Sequence, residues 1–149
     1  SMDNSPKYNI KIRQTGDSKE VFDVLRKKWV QLQPEEEVRQ NCIHFLITKK
    51  GYPAGRLASE YGLKVNQLAR RADIVAFNHF GHPLLMVECK APNIKISQKV
   101  FDQIARYNLA LRVDYLVVTN GREQYCCIMD FKNEKYQFLK EIPNYNSIL

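Results

Sequence analysis

The stretch Leu84–Ser97, LLMVECKAPNIKIS, ends a run of apolar residues with two opposite charges, Glu88 and Lys90. Ionised side chains are costly to remove from water and are seldom buried without a partner, a metal or a chemical role. Side chains alternate along a strand, so Glu88 and Lys90 are expected on one face, with Val87 and Cys89 on the other. The two charges should therefore point to a common place.

The composition predicts one domain spanning residues 1–149. The chain has 149 residues and 44% hydrophobic residues, enough for one core and too few for two. No apolar run reaches the roughly 20 residues that a membrane-spanning helix needs, and the first ten residues contain no apolar export signal. A soluble, cytoplasmic protein is expected, and its net charge of +7 favours polyanionic partners.

The cysteines predict no metal site and no disulfide framework. No pair among them has Cys-x-x-Cys spacing, and each lies in an apolar context. We expect reduced residues in the core, where cysteine behaves as a small hydrophobe. These residues are Cys42, Cys89, Cys126 and Cys127.

Residues 1–33 are expected to form an amino-terminal clasp made of a strand and a helix. Residues 8–13 alternate as a short strand, and a helix capped near Asp17 or Ser18 follows in the prediction. Its apolar residues at helical spacing are Val21, Phe22, Leu25 and Trp29.

Residues 34–139 are expected to form the core, a mixed central sheet flanked by helices. A helix should start at Pro34 and stop at Gly51, and a second should start after an N-cap at Ser97. Strands are predicted in 54–63, 66–77 and 84–90 before the second helix, and in 114–121, 123–131 and 135–139 after it. A helix between two strands normally returns the chain parallel to the strand it left. The tail, 140–149, is expected to fray.

Asp73 extends the pair of charges into a candidate catalytic cluster. If its strand pairs with the next one as a hairpin, Asp73 lies at the same end as Glu88 and Lys90. Carboxylate oxygens suit Mg²⁺ or Mn²⁺, and a lysine can orient an attacking water or stabilise a phosphate. Gln103 and Tyr107 lie four residues apart on the second helix and could complete a site for phosphodiester hydrolysis.

The segments ADIV, VECKAP and DQIARYN resemble the Asp, Glu-x-Lys and Gln-x-x-x-Tyr motifs of the PD-(D/E)xK nuclease superfamily. With PEEEVRQ and YLVVTNG, they also resemble the amino-terminal nuclease domain of type I restriction enzyme R subunits and its small stand-alone relatives. The resemblance implies an α/β, restriction-endonuclease-like core that cleaves DNA with Mg²⁺ or Mn²⁺. It implies Asp73 and Glu88 as metal ligands, Lys90 as the water-orienting group, Gln103 and Tyr107 as an accessory pair, and Glu36 as a further catalytic residue.

The resemblance leaves the partners open. The large R subunits carry a helicase motor, and this sequence has no Walker-type phosphate loop, so translocation is not expected of this chain alone. A homodimer or a separate partner subunit remains possible. Three basic residues flank the predicted site and could contact DNA phosphates: Lys95, Lys99 and Arg106.

Structural explanations compete with these roles. Glu88 and Lys90 could be a simple ion pair, and Asp73 could pair with Arg70 or Arg71. Acids in a first helical turn, such as Glu36, complement the helix dipole, and Gln103 with Tyr107 could be an ordinary amphipathic pair. The alternative function is a nucleic-acid-binding or assembly module of the same fold with little catalytic activity, or a purely structural domain.

Overall fold

The computed structural model describes residues 10–65 and 67–149. Their strands form two sheets, one of three strands and one of six. Short 3-10 helices cover Ala54–Arg56 and Tyr145–Ser147. The other elements, in chain order, are β1 (Ile12–Thr15), β2 (Ser18–Asp23), β3 (Lys28–Gln31), α1 (Pro34–Lys50), β4 (Leu57–Val65), β5 (Leu68–Phe77), β6 (Pro83–Cys89), α2 (Gln98–Leu111), β7 (Tyr115–Thr119), β8 (Gln124–Asp130) and β9 (Lys135–Leu139).

The amino-terminal segment is an antiparallel sheet, β1-β2-β3, so the helix predicted after Asp17 or Ser18 is wrong. The chain reverses at Asp23, whose carboxylate accepts the backbone N–H groups of Leu25 and Arg26 at 2.9 and 3.1 Å. Aspartate can form such a turn without glycine or proline. Because the sequence shows no glycine or proline at this turn, the apolar residues of two short strands had the spacing of one amphipathic helix. The predicted strand 8–13 extends beyond the described residues at its start, and the described strand is Ile12–Thr15.

Helix α1 confirms the predicted boundaries. Pro34 lies in its first turn, where proline's missing N–H costs no hydrogen bond. At the other end Gly51 adopts the left-handed conformation, with φ of 74°, and the N–H of Tyr52 donates to the carbonyl of Leu46 at 3.0 Å. Glycine is favoured there because a side chain would strain the backbone.

The six-stranded sheet confirms the predicted mixed topology and the α/β class. Its order is β4-β5-β6-β7-β8-β9, and β6 and β7 pair in parallel across the crossover helix α2, while the other neighbours are antiparallel. Parallel neighbours need such a crossover. Because β6 and β7 run in the same direction, the end of β6 near Glu88 and the end of β7 at Thr119 lie at the same edge of the sheet.

The helices cover opposite faces of this sheet. In β6, Leu85 and Val87 pack in the cluster that includes α1, whereas Met86 packs in the cluster that includes α2. The neighbouring Cys126 and Cys127 of β8 divide in the same way. Because both faces are covered, these strands read as continuous apolar runs. All four cysteines are buried and unpaired, as predicted.

The carboxyl-terminal tail packs against the core, so the prediction that it frays is wrong. Ile142 and Tyr145 are buried in the cluster beside α1. The hydroxyl of Tyr145 donates to the carbonyl of Phe77 at 2.8 Å, and that of Tyr52 donates to the carbonyl of Pro143 at 2.9 Å. Among the described residues, no helix is long and apolar enough to cross a membrane.

Gly51→Ala should lower the free energy of unfolding by about 1 kcal/mol, because alanine is strained in the left-handed conformation. A Cβ at Gly51 would meet no atom within 4 Å, so backbone strain is the only cost. Gly55→Ala is the matched control: its Cβ would also meet no atom, but its backbone is not left-handed. Urea unfolding measures both variants. Equal stability losses would contradict the assigned role of Gly51.

Candidate active site

Asp73 lies where β5 and β6 pair. Its Oδ2 accepts the backbone N–H of Cys89 at 2.7 Å, and the strands are in register at Ile74 and Val87. Asp73 is therefore held beside the Glu88–Lys90 segment, at the end of the hairpin where the sequence predicted it. The other carboxylate oxygen, Oδ1, is 4.0 Å from Nη1 of Arg39, too far for a hydrogen bond.

The Asp73 carboxyl is electrostatically unfavourable in its charged form. Burial raises its pKa to about 6, the hydrogen bond from Cys89 opposes this rise, and the charges of Glu88 and Glu35 add to it. Burial and a neighbouring carboxylate both favour the neutral acid. A bound cation would relieve this strain.

Glu88 is held by two cations. The guanidinium of Arg70 pairs with Oε1, and the ammonium of Lys90 lies 3.7 Å from Oε2. The side chains of Arg70 and Glu88 are only 18% and 15% exposed, so this ion pair lies in a partly dry environment. Glu88 and Lys90 thus converge as the strand alternation predicted.

Tyr107 reaches the same cluster from α2, but Gln103 does not. The Tyr107 ring lies 4.8 Å from the guanidinium carbon of Arg70, and its hydroxyl donates to the carbonyl of Ala69 at 3.1 Å. Gln103 is exposed and forms no hydrogen bond with any residue in 10–65 or 67–149. The two residues therefore do not act as one contact pair in this structure.

Glu36 belongs to an adjacent ion-pair network on α1. Its carboxylate accepts Nε of Arg39 at 3.0 Å and Nε2 of Gln40 at 2.9 Å. Spacings of three and four residues place these side chains on one helical face. Glu36 is buried. It is therefore not simply a solvent-exposed acid that complements the helix dipole. Arg39, which pairs with Glu36 and lies 4.0 Å from Asp73, links the two carboxylates.

Glu60 lies beside the candidate site, in the ion-pair network of Arg39, and the sequence did not indicate it. Its backbone has a φ of 51°, rare for a residue with a side chain, and the ladder between β4 and β5 skips it between Ser59 and Tyr61. Such local strain is often found at functional sites.

Three arginines from different parts of the fold lie close to the Glu60 carboxylate. Nη1 of Arg39 lies 2.7 Å away, and Arg26 and Arg71 lie at 3.5 and 3.7 Å. The hydrogen bond from Arg39 lowers the pKa of Glu60, against the opposing effect of burial. Burial lowers the pKa of Arg39, but the hydrogen bonds that its guanidinium donates to the carboxylates of Glu36 and Glu60 outweigh this effect and raise the pKa overall. Glu60 therefore ties the amino-terminal sheet to the site.

The predicted phosphate contacts are exposed. Lys95 lies in the loop before α2, and Lys99 and Arg106 lie on α2 itself. The charge of Arg106 acts on Asp102, four residues earlier on the same helix. Exposed cations of this kind suit contact with a nucleic-acid backbone.

The donor set fits a hard divalent cation. Asp73 Oδ1 has no hydrogen-bond donor among the described residues, and Glu88 offers a second carboxylate on the neighbouring strand. No group of three or more His, Cys, Asp or Glu side chains suited to a metal occurs in the part of the chain that the structure describes. Two carboxylates are enough for Mg²⁺, which usually keeps several waters and takes further oxygens from a phosphate.

A family model for the amino terminus of the type I restriction enzyme R protein matches residues 34–143. The chain belongs to this family. The matched region begins with α1, ends after β9 and includes every residue of the candidate cluster. A search against curated protein sequences finds no match.

A solved structure has the same fold. It is a fragment assigned as an HsdR subunit of a type I restriction enzyme from Vibrio vulnificus YJ016, with a TM-score of 0.55 and 18% sequence identity. The match covers 78% of this chain and 24% of that protein. The chain thus spans about a quarter of its relative's length and shares its fold, in agreement with the predicted restriction-endonuclease-like core.

Asp73→Asn should stabilise the protein at neutral pH. The folded chain holds the Asp73 proton up to a pKa of about 6, whereas an ordinary aspartate loses it at 3.8, so stability falls as the pH rises through this interval. The asparagine carbonyl can still accept the Cys89 N–H. We expect a gain of roughly 2 kcal/mol at pH 7 that shrinks as the pH falls toward 3.8.

Urea unfolding in metal-free buffer at several pH values measures this gain. Asp17→Asn is the control because Asp17 lies exposed in the turn between β1 and β2. A gain that stays constant with pH, or that Asp17→Asn reproduces, would show that the Asp73 carboxyl is not destabilised by its surroundings.

Proposed function

We propose that this R-protein amino-terminal domain is a divalent-metal-dependent nuclease that hydrolyses DNA phosphodiester bonds. One observation carries the proposal: Asp73 is held at the backbone of Cys89, between Glu88 and Lys90, so two carboxylates and an ammonium share one end of the β5–β6 hairpin. Membership of the restriction-enzyme family supports the choice of DNA as substrate.

Asp73 and Glu88 are the residues that would hold Mg²⁺ or Mn²⁺. A metal bound there would supply a Lewis acid for the phosphate and lower the pKa of a bound water. The strands supply the rigidity: Asp73 is fixed by the Cys89 N–H, and Glu88 pairs with Val118 in the parallel register of β6 and β7. Catalytic groups on paired strands are held more accurately than groups on loops.

Lys90 is assigned to the attacking water and the developing phosphate charge. Its backbone N–H donates to the carbonyl of Thr119 at 2.8 Å, which fixes the residue just beyond the end of β6. Its ammonium is 3.7 Å from Glu88, so the same group can remain close to a ligand of the metal while it faces substrate. Preorganised cations of this kind stabilise charge that develops in the transition state.

DNA would approach from the α2 side of the site. Lys99 and Arg106 are exposed on that helix, and Lys95 precedes it. These residues would neutralise phosphates without reading sequence. Within a type I enzyme, recognition would come from other subunits, and this domain would contribute the cut.

The test is cleavage of plasmid and single-stranded DNA with Mg²⁺ or Mn²⁺. Asp73→Asn, Glu88→Gln and Lys90→Ala should each lower the cleavage rate by about 100-fold or more. Calorimetric Mn²⁺ titration should show binding to the wild type and to Lys90→Ala, and much weaker binding to the two carboxylate variants.

Glu141→Gln and Lys132→Ala are matched controls. Glu141 is exposed and pairs with Lys50 away from the site, and Lys132 lies exposed between β8 and β9. Both should cleave and bind Mn²⁺ like the wild type. Wild-type protein that neither binds Mn²⁺ at millimolar concentration nor cleaves DNA would overturn the proposal.

The second candidate is a DNA-binding or assembly module with little activity of its own. It is favoured by the ion pairs that Arg70 and Lys90 already form with Glu88, which could be permanent. Salt-dependent DNA binding without metal-dependent cleavage would support this function.

A further inference from the structure

Arg70 is placed to play a part in the site that neither the motifs nor the family resemblance assigned. It lies on β5, three residues before Asp73, and its guanidinium pairs with Glu88 of β6. The ring of Tyr107 covers the guanidinium at 4.8 Å, and the Tyr107 hydroxyl is anchored on the carbonyl of the preceding residue, Ala69. Within the cluster of charged side chains, the predicted accessory tyrosine therefore contacts Arg70.

The hydrogen-bonding capacity of Arg70 is only partly used. Its Nε is buried and has no hydrogen-bond partner in residues 10–65 and 67–149. A guanidinium carries five N–H donors in a rigid fork that matches a phosphate or carboxylate with two parallel bonds. Glu88 takes part of this fork, so the group has donors in reserve for another oxyanion.

Charge balance indicates when Arg70 would change partner. In this structure Arg70 and Lys90 both pair with Glu88, while Asp73 lies 4.0 Å from Arg39. A divalent ion on the same carboxylates would add two positive charges and compete with Arg70 for the oxygens of Glu88. A phosphodiester brings a negative charge to the same place, and it offers the geometry that a guanidinium binds best.

We infer that Arg70 is a counter-ion that occupies Glu88 until a divalent cation binds, and that it then donates to the DNA phosphate from its support on the Tyr107 ring. The inference rests on the proposed nuclease function. It assigns Tyr107 the task of positioning Arg70. It also explains how two neighbouring carboxylates are tolerated before metal is bound.

The metal side of the inference is tested by calorimetric Mn²⁺ titration. Arg70→Ala removes the competing cation and should bind Mn²⁺ roughly three- to tenfold more tightly than the wild type. Arg70→Lys keeps the charge and should stay within about twofold of the wild type. Arg71→Ala is the matched control, since Arg71 is the next residue, is 70% exposed and faces Glu60 instead. It should leave Mn²⁺ affinity unchanged.

The phosphate side is tested by fluorescence anisotropy of a short labelled DNA duplex. Ca²⁺, which also takes carboxylate oxygens, serves as the divalent ion. Arg70→Ala should bind the duplex roughly tenfold more weakly than the wild type. Arg70→Lys should also be weakened, because an ammonium lacks the fork. Circular dichroism confirms that each variant is folded.

Tighter metal binding with weaker DNA binding is a combination that a merely structural arginine would not give. If the wild type binds Mn²⁺ and Arg70→Ala binds it no more tightly, this inference is overturned while the proposed function stands. Unchanged DNA binding by Arg70→Ala also overturns it. A wild type that binds no Mn²⁺ overturns the proposed function and this inference together.

Discussion

Two carboxylates on neighbouring strands, Asp73 and Glu88, must be compensated by positive charge if they are to stay ionised in a partly buried place. The polar architecture at this end of the sheet follows from that constraint. Arg70 and Lys90 neutralise Glu88, while in residues 10–65 and 67–149 Asp73 receives a backbone N–H and the more distant Arg39. Asp73 is left undercompensated, and burial with the nearby charges of Glu88 and Glu35 raises its pKa to about 6. The two acids are therefore held in different electrostatic environments, and Asp73 is the one whose negative charge is less well balanced.

The constraint extends beyond the cluster. Arg39 pairs with Glu36 and Glu60 more closely than with Asp73, and the Glu60 backbone has a positive φ of 51°. Through Arg26 the same carboxylate fastens the amino-terminal sheet to the larger sheet. Glu60 therefore contacts both the amino-terminal sheet, through Arg26, and the candidate site, through Arg39.

Much of the larger sheet could be predicted from local patterns. The apolar runs, the Ser97 cap, whose side chain accepts the Val100 N–H at 3.2 Å, and the Gly51 stop are all short-range signals, and the structure confirms them. The amino-terminal sheet was missed because its turn at Asp23 uses side-chain hydrogen bonds instead of glycine or proline.

The candidate site was predictable only in part. The strand alternation and the hairpin were sufficient to bring Asp73, Glu88 and Lys90 together. Glu60 and Arg70 could not be found in this way, because their partners lie on other elements and are chosen by the three-dimensional register. For Arg39, the spacing of three residues from Glu36 on one helix was a usable signal.

The comparisons give the family and the fold in which the candidate cluster lies. The chain belongs to the amino terminus of the type I restriction enzyme R protein and shares the fold of a much larger HsdR fragment. Its candidate site lies where β5 and β6 pair, on the side from which α2 contributes Tyr107.

The most direct measurement is an anomalous difference map from crystals of the wild-type protein grown with Mn²⁺. A metal-dependent nuclease should show a peak bound by the carboxylates of Asp73 and Glu88, with the Arg70 guanidinium moved off Glu88. A map with no peak at these carboxylates, and with Arg70 still paired to Glu88 at saturating Mn²⁺, would show that the cluster is a permanent ion-pair network.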